Sequence, residues 1–408
     1  MTRTACRYRL YPTAQQKQTL LFFLRRCREL YNSALEERRA AYQMRKVSIH
    51  CFDQINELPD LKQAFPAYQD VPSHVLQDVL RRLDKAFQAF FRRLRDGEQP
   101  GYPRFKGTSR YHSFSYPDQA GWKLQGDRLS LTGVGDVKMR LHRPLSGTIK
   151  TITIRRDVDQ WYICFSCEVE VPAPLPQTSQ EVGIDLGVMR FATLSTGEQI
   201  ENPRHYRRGL KRLKILSQIK DWRKQGSQRR KRAAIALAKA HRKVRNQRKN
   251  FHHQLSRRLV NEYSLIAMEK LQISNMTQAP EPKPDPDNEG HYLPNGATAK
   301  AGLNQSILDA GWGQFQQFCT YKAEEAGRRV VLVDPYNTSQ LCSGCGRLVP
   351  KELAQRWHSC PYPDCRTELD RDHNSAITIL FRGQEVAHSG TPLSKPTPWD
   401  VGTSHALL

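Results

Sequence analysis

Between Arg204 and Arg258 the chain carries 21 Lys/Arg and a single acid, Asp221, so this one stretch holds +20 of the net +24. Twenty-one cations with one anion repel one another unless something neutralises them. Solvated helix faces normally mix signs through i,i+4 pairs, and this one does not. It must be an exposed element built for a polyanion. Leu210, Leu213, Leu216 and Ile219, then Ile235, Leu237, Val244, Phe251, Leu255 and Leu259 recur at three- and four-residue steps, the pattern of amphipathic helices. Gly226-Ser227 interrupts that pattern. The segment therefore reads as a helical hairpin, 204–258, gripping nucleic-acid phosphates through Arg229, Arg230, Lys231, Arg232, Arg242, Lys243 and Arg245.

The rest of the 408 residues carries only about +4 and reads as ordinary globular protein. That length suits two or three domains. Apolar residues are 38% and aromatics 9%, too many for a disordered chain. Apolar runs such as Leu20 to Leu24 stop at about five residues where a membrane span needs ~20, so no membrane partner is expected. Met1-Thr2-Arg3-Thr4-Ala5-Cys6 lacks an apolar signal core, and ten cysteines are too few for a disulfide scaffold. A cytoplasmic protein is expected, associated with the nucleoid when bound to DNA.

Along the chain, a strand is expected over Arg3 to Leu10. Thr13-x-x-Gln16 is a capping-box pattern opening a helix with Leu20, Leu24, Cys27, Tyr31 and Leu35 on one stripe. A second helix after Pro72 has Val75, Val79, Leu83, Phe87, Phe90 and Leu94 in phase. Its opposite face should expose His74, Gln77, Asp78, Arg81 and Lys85. Gln, Arg and Lys can bond base edges in the major groove, so Gln77, Arg81 and Lys85 are candidate duplex readers. The loop Pro100 to Gly107 mixes aromatics with the cations Arg104 and Lys106, further candidates for nucleic-acid contact. From about Phe114 to Val171 the period becomes two, with strands at Arg128 to Leu131, Val137 to Leu141, Ile149 to Ile154 and Trp161 to Val169, suggesting a small β-barrel. Pro172 to Pro176 reads as a linker.

The second half alternates strands and helices: Val182 to Gly187, Phe191 to Leu194, the basic hairpin, Ser264 to Met268, a helix over Leu308 to Ala326, and a strand over Arg329 to Val333. Gln278 to Gly290, with four prolines among acids, is expected to be an irregular mobile loop. The tail after about Gly383 is expected to be disordered.

Two constellations carry chemistry. Cys342-x-x-Cys345 and Cys360-x4-Cys365, fourteen residues apart, supply four thiolates for a tetrahedral, structural Zn²⁺. Gly344 and Gly346 would let the first knuckle turn, the longer second knuckle must bulge, and His358 is a conceivable substitute ligand. The other six cysteines read as core residues. The second constellation is acidic. Asp185 sits mid-strand among apolar neighbours, and Glu269 ends another apolar strand. Acids in buried strands are costly unless paired or metal-bound. Asp372 shares a face with Ala376 and Ile379 on the final helix, whereas Asp370 sits where an N-cap belongs. If strands and helix pack together, Asp185, Glu269 and Asp372 converge and could hold two Mg²⁺ ions about 4 Å apart for in-line phosphodiester hydrolysis.

The strand Gly183-Ile184-Asp185-Leu186-Gly187, the strand end Met268-Glu269-Lys270-Leu271, Pro335-Tyr336-Asn337-Thr338-Ser339-Gln340 before the first knuckle, and Asp370-Arg371-Asp372-x-Asn374 after the second occur in that order. Over roughly residues 1–382 this series resembles the TnpB proteins of IS200/IS605-type transposons, relatives of type V CRISPR effectors. The resemblance implies a multidomain α+β and α/β chain. A wedge β-barrel would occupy 1–12 and 113–177, with an inserted helical recognition domain at 13–112. A RuvC-like, RNase H-type nuclease domain would span 178–337 and 366–382, interrupted by a zinc ribbon at 338–365, with a tail at 383–408. It further implies an RNA-guided DNA endonuclease that uses a guide RNA from the transposon end and double-stranded target DNA bearing a short adjacent motif. Asp185, Glu269 and Asp372 would be its catalytic acids, and a monomer is the favoured state. A DDE-type transposase would place its acids in the order Asp, Asp, Glu, against Asp, Glu, Asp here. A nuclease-inactive RNA-guided repressor would be expected to have lost an acid, and all three are present.

Overall fold

β1 (Thr2–Tyr11) leads into α1 (Ala14–Arg45) through the expected capping box: the Gln16 amide donates to Thr13 Oγ1 at 3.3 Å and the Thr13 amide to Gln16 Oε1 at 3.0 Å. The computed structural model describes residues 2–117, 119, 121–170, 173–288, 290–352 and 354–389, and the chain divides into two compact units, 1–171 and 172–408. In the first unit the α1 stripe Leu20, Leu24, Cys27, Tyr31 and Leu35 is buried as its spacing requires. Two short helices that the pattern analysis did not register, α2 (Cys51–Asn56) and α3 (Leu58–Ala64), precede α4 (Ser73–Arg95). Val75, Val79 and Leu83 of α4 are buried, but Leu94 is 55% exposed, because the helix outruns its packing partners. His74 and Asp78 also depart from expectation. His74 turns inward against Tyr116, 5.5 Å between ring centres, and Asp78 is tied to Arg82 at 2.7 Å.

The period-two region forms β2 (Ser113–Tyr116), β3 (Trp122–Gln125), β4 (Arg128–Leu131), β5 (Gly135–Arg140), β6 (Thr148–Asp157) and β7 (Gln160–Val169). With β1 they pair antiparallel in the order β2-β6-β7-β1-β5-β4-β3. Alternation buries Trp161, Ile163, Phe165 and Cys167 on one face of β7. These side chains share one core with α1 and α4, joined by an edge-on contact of Phe23 with Phe114.

The second unit is built on β8 (Glu181–Leu186), β9 (Arg190–Leu194), β10 (Gln199–Glu201), β11 (Leu265–Glu269) and β14 (Arg329–Val333), ordered β10-β9-β8-β11-β14. β9 runs antiparallel to β8 and β10, while β8, β11 and β14 run parallel. The parallel strands read as continuous apolar runs because both faces are covered. Between β10 and β11 lie α5 (His205–Asp221) and α6 (Gln228–Glu262), the predicted hairpin, turning at Gly226 and capped by Ser227, whose Oγ accepts from the Arg230 amide. After β11 come α7 (Ile273–Met276) and two corrections. The Pro/acid-rich stretch is not wholly irregular: β12 (Lys283–Pro284) pairs with β13 (Tyr292–Leu293). The helix expected over 308–326 is two, α8 (Ala297–Ala310) and α9 (Trp312–Ala326), broken at Gly311 with φ 69°. β15 (Trp357–Ser359) pairs with β16 (Glu368–Asp370), and α10 (Arg371–His388) follows. Residues 383–388, expected in a disordered tail, are thus helical, and 390–408 lie outside the described residues. Among the described residues, no helix is long and apolar enough to cross a membrane.

Candidate active site and metal centre

α10 lies across β8 and β11 at unusually short range. A Cβ on Gly183 would sit 2.0 Å from the Ala376 carbonyl oxygen, and one on Gly383 would sit 2.4 Å from Ala267 Cβ. Only glycine fits at either point, so strand and helix each give up a side chain to let the backbones meet. The approach places three acids on separate elements, near enough for the Glu269 and Asp372 charges to act on Asp185. Asp185 lies two residues beyond Gly183, and Asp372 one turn before Ala376. The parallel register Ile184↔Met268 sets Glu269 beside Asp185 at the strand ends. Burial pushes the Asp185 carboxyl well above the usual carboxylate range, and the nearby Glu269 and Asp372 charges push it the same way. Burial also raises Glu269, partly offset by a hydrogen bond from Thr338 and by the Arg382 charge. Positive charge already reaches the group, Arg371 lying 3.7 Å and Arg356 4.0 Å from Asp372 and the Arg371 charge opposing the rise of Asp185, while hard oxygen donors of this kind fit a divalent cation.

Several neighbours fix the acids. The Thr338 hydroxyl donates to Glu269 Oε1, and Gln316 Nε2 donates to the Glu269 carbonyl at 2.7 Å. Asp370 is indeed the N-cap of α10. Its Oδ1 accepts from the amides of Asp372 (2.9 Å) and His373 (3.3 Å), and its other oxygen pairs with Arg190 at 3.1 Å. Asn374, wholly buried, accepts from the Ser343 amide at 2.9 Å and donates to the Leu341 carbonyl at 2.6 Å, tying the first knuckle to α10. Thr338 and Asn374 lie inside the motifs named above, yet nothing in residue type or spacing marked either as an anchor.

The Sγ atoms of Cys342, Cys345, Cys360 and Cys365 lie within 4.8 Å of one another, the one such group of metal-binding atoms among the described residues. Cys342–Cys365 and Cys345–Cys360 are 3.6 and 3.7 Å apart, close to the ~3.8 Å edge of a tetrahedron with 2.3 Å zinc–sulfur bonds. A Cβ on Gly344 would meet Thr367 Oγ1 at 2.1 Å, so the first knuckle packs directly on the second. His358 is buried but stays outside the cluster, with neither ring nitrogen hydrogen-bonded.

The candidate nucleic-acid residues divide. On the hairpin, Arg229, Lys231, Arg232, Lys243 and Arg245 are exposed. Arg242 is buried. Arg230 turns back to close α5, donating to the carbonyls of Lys220 (3.1 Å) and Arg223 (3.0 Å). A groove of about 730 Å³ between α5 and α6 is lined by Arg208, Arg212, Lys239 and Lys243. Sequence reasoning passed over the first three within the general run of charge. It also missed Asp309, whose carboxylate accepts from the Tyr206 and Arg207 amides and pairs with Arg248 at 3.1 Å, pinning the start of α5. In the first unit Arg81, Lys85 and Arg104 are exposed, while Gln77 and Lys106 are half-buried.

This combination, acids on a mixed sheet and its covering helix together with a four-cysteine cluster and a strongly basic hairpin, is that of a protein acting on nucleic acid. Residues 164–279 match a transposase family of the OrfB/IS605 type, 312–379 the Cas12f1-like TNB domain, and 1–46 a helix-turn-helix family, although those last residues form β1 and α1 here. The chain is 31% identical over 396 residues to a Streptomyces pristinaespiralis protein described as a candidate RNA-guided DNA endonuclease, covering 95% of this chain and 91% of that one. It is 28% identical over 402 residues to Escherichia coli InsQ, described likewise, covering 96% of each. Among solved structures it is similar to the mini-RNA-guided endonuclease CRISPR-Cas phi3 (10% identity, TM-score 0.43, covering 97% and 94%). The chain belongs to the TnpB family of RNA-guided DNA endonucleases.

Proposed function

We propose that this chain cleaves double-stranded DNA, directed by a guide RNA from a transposon end, at sites beside a short adjacent motif, using Mg²⁺ held by Asp185, Glu269 and Asp372. The observation that supports this is that the Glu269 and Asp372 charges, from β11 and α10, both act on Asp185 of β8, in the same unit as the basic hairpin. Bound there, a Mg²⁺ pair would stabilise the attacking and leaving oxygens of an in-line phosphodiester hydrolysis. The chain's own part is to aim the oxygens. Thr338 holds one Glu269 oxygen and leaves the other for a cation. Asp370 caps α10 and so fixes the turn that carries Asp372. The acids are RuvC-like by this reading, and the β10-β9-β8-β11-β14 order with β9 reversed supports an RNase H-type layer.

Around that centre, the cysteine cluster holds a structural Zn²⁺ that keeps the ribbon folded against α10. The α5–α6 groove and the exposed hairpin cations grip guide and heteroduplex backbone, while base pairing reads sequence. Arg81 and Lys85, with Gln77, meet the adjacent motif from the helical recognition domain inserted in a wedge barrel. The protein works in the cytoplasm as a monomer. Full-length protein, its candidate guide RNA, Mg²⁺ and a plasmid library with randomised flanks test the reading together. Cleaved molecules should share a flanking motif, and Asp185→Asn and Glu269→Gln should each abolish cleavage while keeping RNA-dependent DNA binding. A native chain that binds the target without cutting would instead support the repressor reading.

A further inference from the structure

The end of α1 and the loop 101–107 enclose a cleft of about 640 Å³, rimmed by Arg39, Tyr42, Lys46, Tyr102, Arg104 and Phe105. No acid lines it. We propose that this cleft binds unstacked nucleotides of a single strand, with bases on the aromatic faces and phosphates on the cations. The proposal rests on the nucleic-acid reading above and assigns it a further site.

Packing accounts for only part of the rim. Tyr102 is set edge-on to Phe87 and Phe90, with ring centres 5.5 and 5.4 Å away and interplanar angles of 86° and 74°. Those two edge-on contacts set the position of its ring. All three rings nonetheless stand open to solvent, Tyr42 at 56% and Tyr102 and Phe105 each at 44% exposed. Aromatic rings left in solvent and bordered by cations cost hydration without a packing return, and they are what a sequence-tolerant single-strand site requires. Every base has a face to stack, whereas in a duplex those faces are already covered by neighbouring pairs.

The loop is held ready. The Lys106 amide donates to Asn32 Oδ1 at 2.8 Å, and Asn32 Nδ2 returns a bond to the Lys106 carbonyl at 3.1 Å, locking loop to helix across 74 residues of sequence. Lys106 itself lies over Tyr31, 5.5 Å from the ring centre, and so serves the loop's anchorage. A site whose walls are already ordered loses less entropy on binding. Lys46, in the left-handed C-cap position of α1, keeps its ammonium 5.2 Å above the Tyr42 ring. A base arriving on that ring takes the face, and the ammonium moves to the phosphate that comes with it. The cleft volume falls within the roughly 300–1,000 Å³ of ordinary small-ligand sites, room for a nucleotide or two. The strand could be part of the guide RNA or DNA freed from its complement, since both present the same faces and phosphates.

Photo-cross-linking and affinity test this on the full chain. The probes are oligonucleotides of about fifteen residues, within single-strand site sizes of roughly 4–16: a 5-iodouridine RNA, the 5-iododeoxyuridine DNA, and a duplex of the same sequence. Irradiation of the native protein should join Tyr42 or Phe105 to a single strand and not to the duplex. The Tyr42→Ala/Phe105→Leu variant should bind single strands roughly 5- to 150-fold more weakly per stacked base lost, without changing duplex affinity or the salt slope. Phe105→Trp should bind like the native protein. A larger loss for RNA assigns the site to the guide, a larger loss for DNA to a freed strand, and either supports the proposal. Native affinity for both strands in the double variant, or an equal loss on the duplex, overturns it, as does cross-linking elsewhere only. The hairpin variant Arg229→Gln/Lys231→Gln/Arg232→Gln separates the two readings. If it loses affinity while the cleft variant does not, the cleft proposal alone falls. If the native protein binds no probe, the wider reading falls with it.

Discussion

A single methyl group should be enough to take the acidic site apart. Gly183→Ala places a carbon 2.0 Å from the Ala376 carbonyl oxygen and 2.6 Å from the Leu380 amide nitrogen. Both are backbone atoms of α10 and cannot swing aside. Ordinary contact begins at 3.4 Å, so the helix must retreat about 1.4 Å from β8. Overpacking of this kind costs about 1–3 kcal/mol, and the cavity opened along Ile379 and Ala376 takes the expected loss to the upper end. At roughly 2–4 °C per kcal/mol for a unit of this size, melting should fall by about 6–12 °C. Cleavage should suffer more than folding. Asp372 rides on α10, and a misplacement of ~1 Å in a reacting geometry can cost ~100-fold in rate. The assay is a melting curve together with single-turnover cleavage at saturating guide RNA, at a temperature where the variant stays folded. Gly302→Ala is the matched control, since nothing lies within 4 Å of its added carbon. It should cut like the native protein and melt no lower, since alanine is favoured over glycine by about 0.5–1 kcal/mol inside an exposed helix such as α8. A Gly183→Ala variant that melts within a degree of native and cleaves at the native rate would refute the close-approach argument.

Replacing Arg229, Lys231 and Arg232 by Gln, and sparing Arg230 because it closes α5, should lower the slope of log affinity against log salt by about 2–3 for every guide alike. An unchanged slope would make these residues a plain solvated face. Zinc, measured by elemental analysis, should copurify at one equivalent. Cys345→Ser should lose it along with the fold of the ribbon, and a chelator should do the same to native protein. Burial holds the His252 imidazole down to about 4, against hydrogen-bonding partners Ala310 and Gln314 that raise it. It is thus neutral in the fold below the ordinary value of 6.5, whereas the unfolded chain takes up a proton there. Stability present above about pH 6.5 should therefore be lost progressively toward pH 4, by up to about 3 kcal/mol from this residue. His252→Gln should flatten melting temperature against pH in that window; an unaltered profile would show that other groups set it.

The acids were legible because each broke a local rule: Asp185 stands in an apolar strand, Glu269 ends one, and Asp372 lies on a packed helix face. The cysteines were legible from spacing. What held these groups in place was not. Thr338 and Asn374 are ordinary polar residues whose partners lie 69 and about 30 positions away, and single-sequence periodicity carries no such pairing. The break at Gly311 was missed because a glycine inside a helical pattern is usually tolerated. The pairing of β12 with β13 was missed because prolines argue against strands except at edges, where these lie. Charge counting treated the hairpin cations alike, although helical phase turns Arg242 inward and the end of α5 claims Arg230. The short helices α2 and α3 lie below the length at which periodicity is informative.

α6 is one uninterrupted helix of 35 residues, about 52 Å long, and only Tyr263 and Ser264 separate its end from β11. Its last turns are embedded, with His252, Leu259 and Val260 fully buried, while its first turns carry Arg229, Lys231 and Arg232 into solvent. Such a helix is a ruler. A phosphate held near Arg232 stands at a set distance, about 45 Å along the axis, from the strand that carries Glu269. The same rod also sets phase. Inserting one residue in its middle would rotate the outer cations by about 100°, whereas inserting seven would lengthen the reach by about 10 Å and keep nearly the same face.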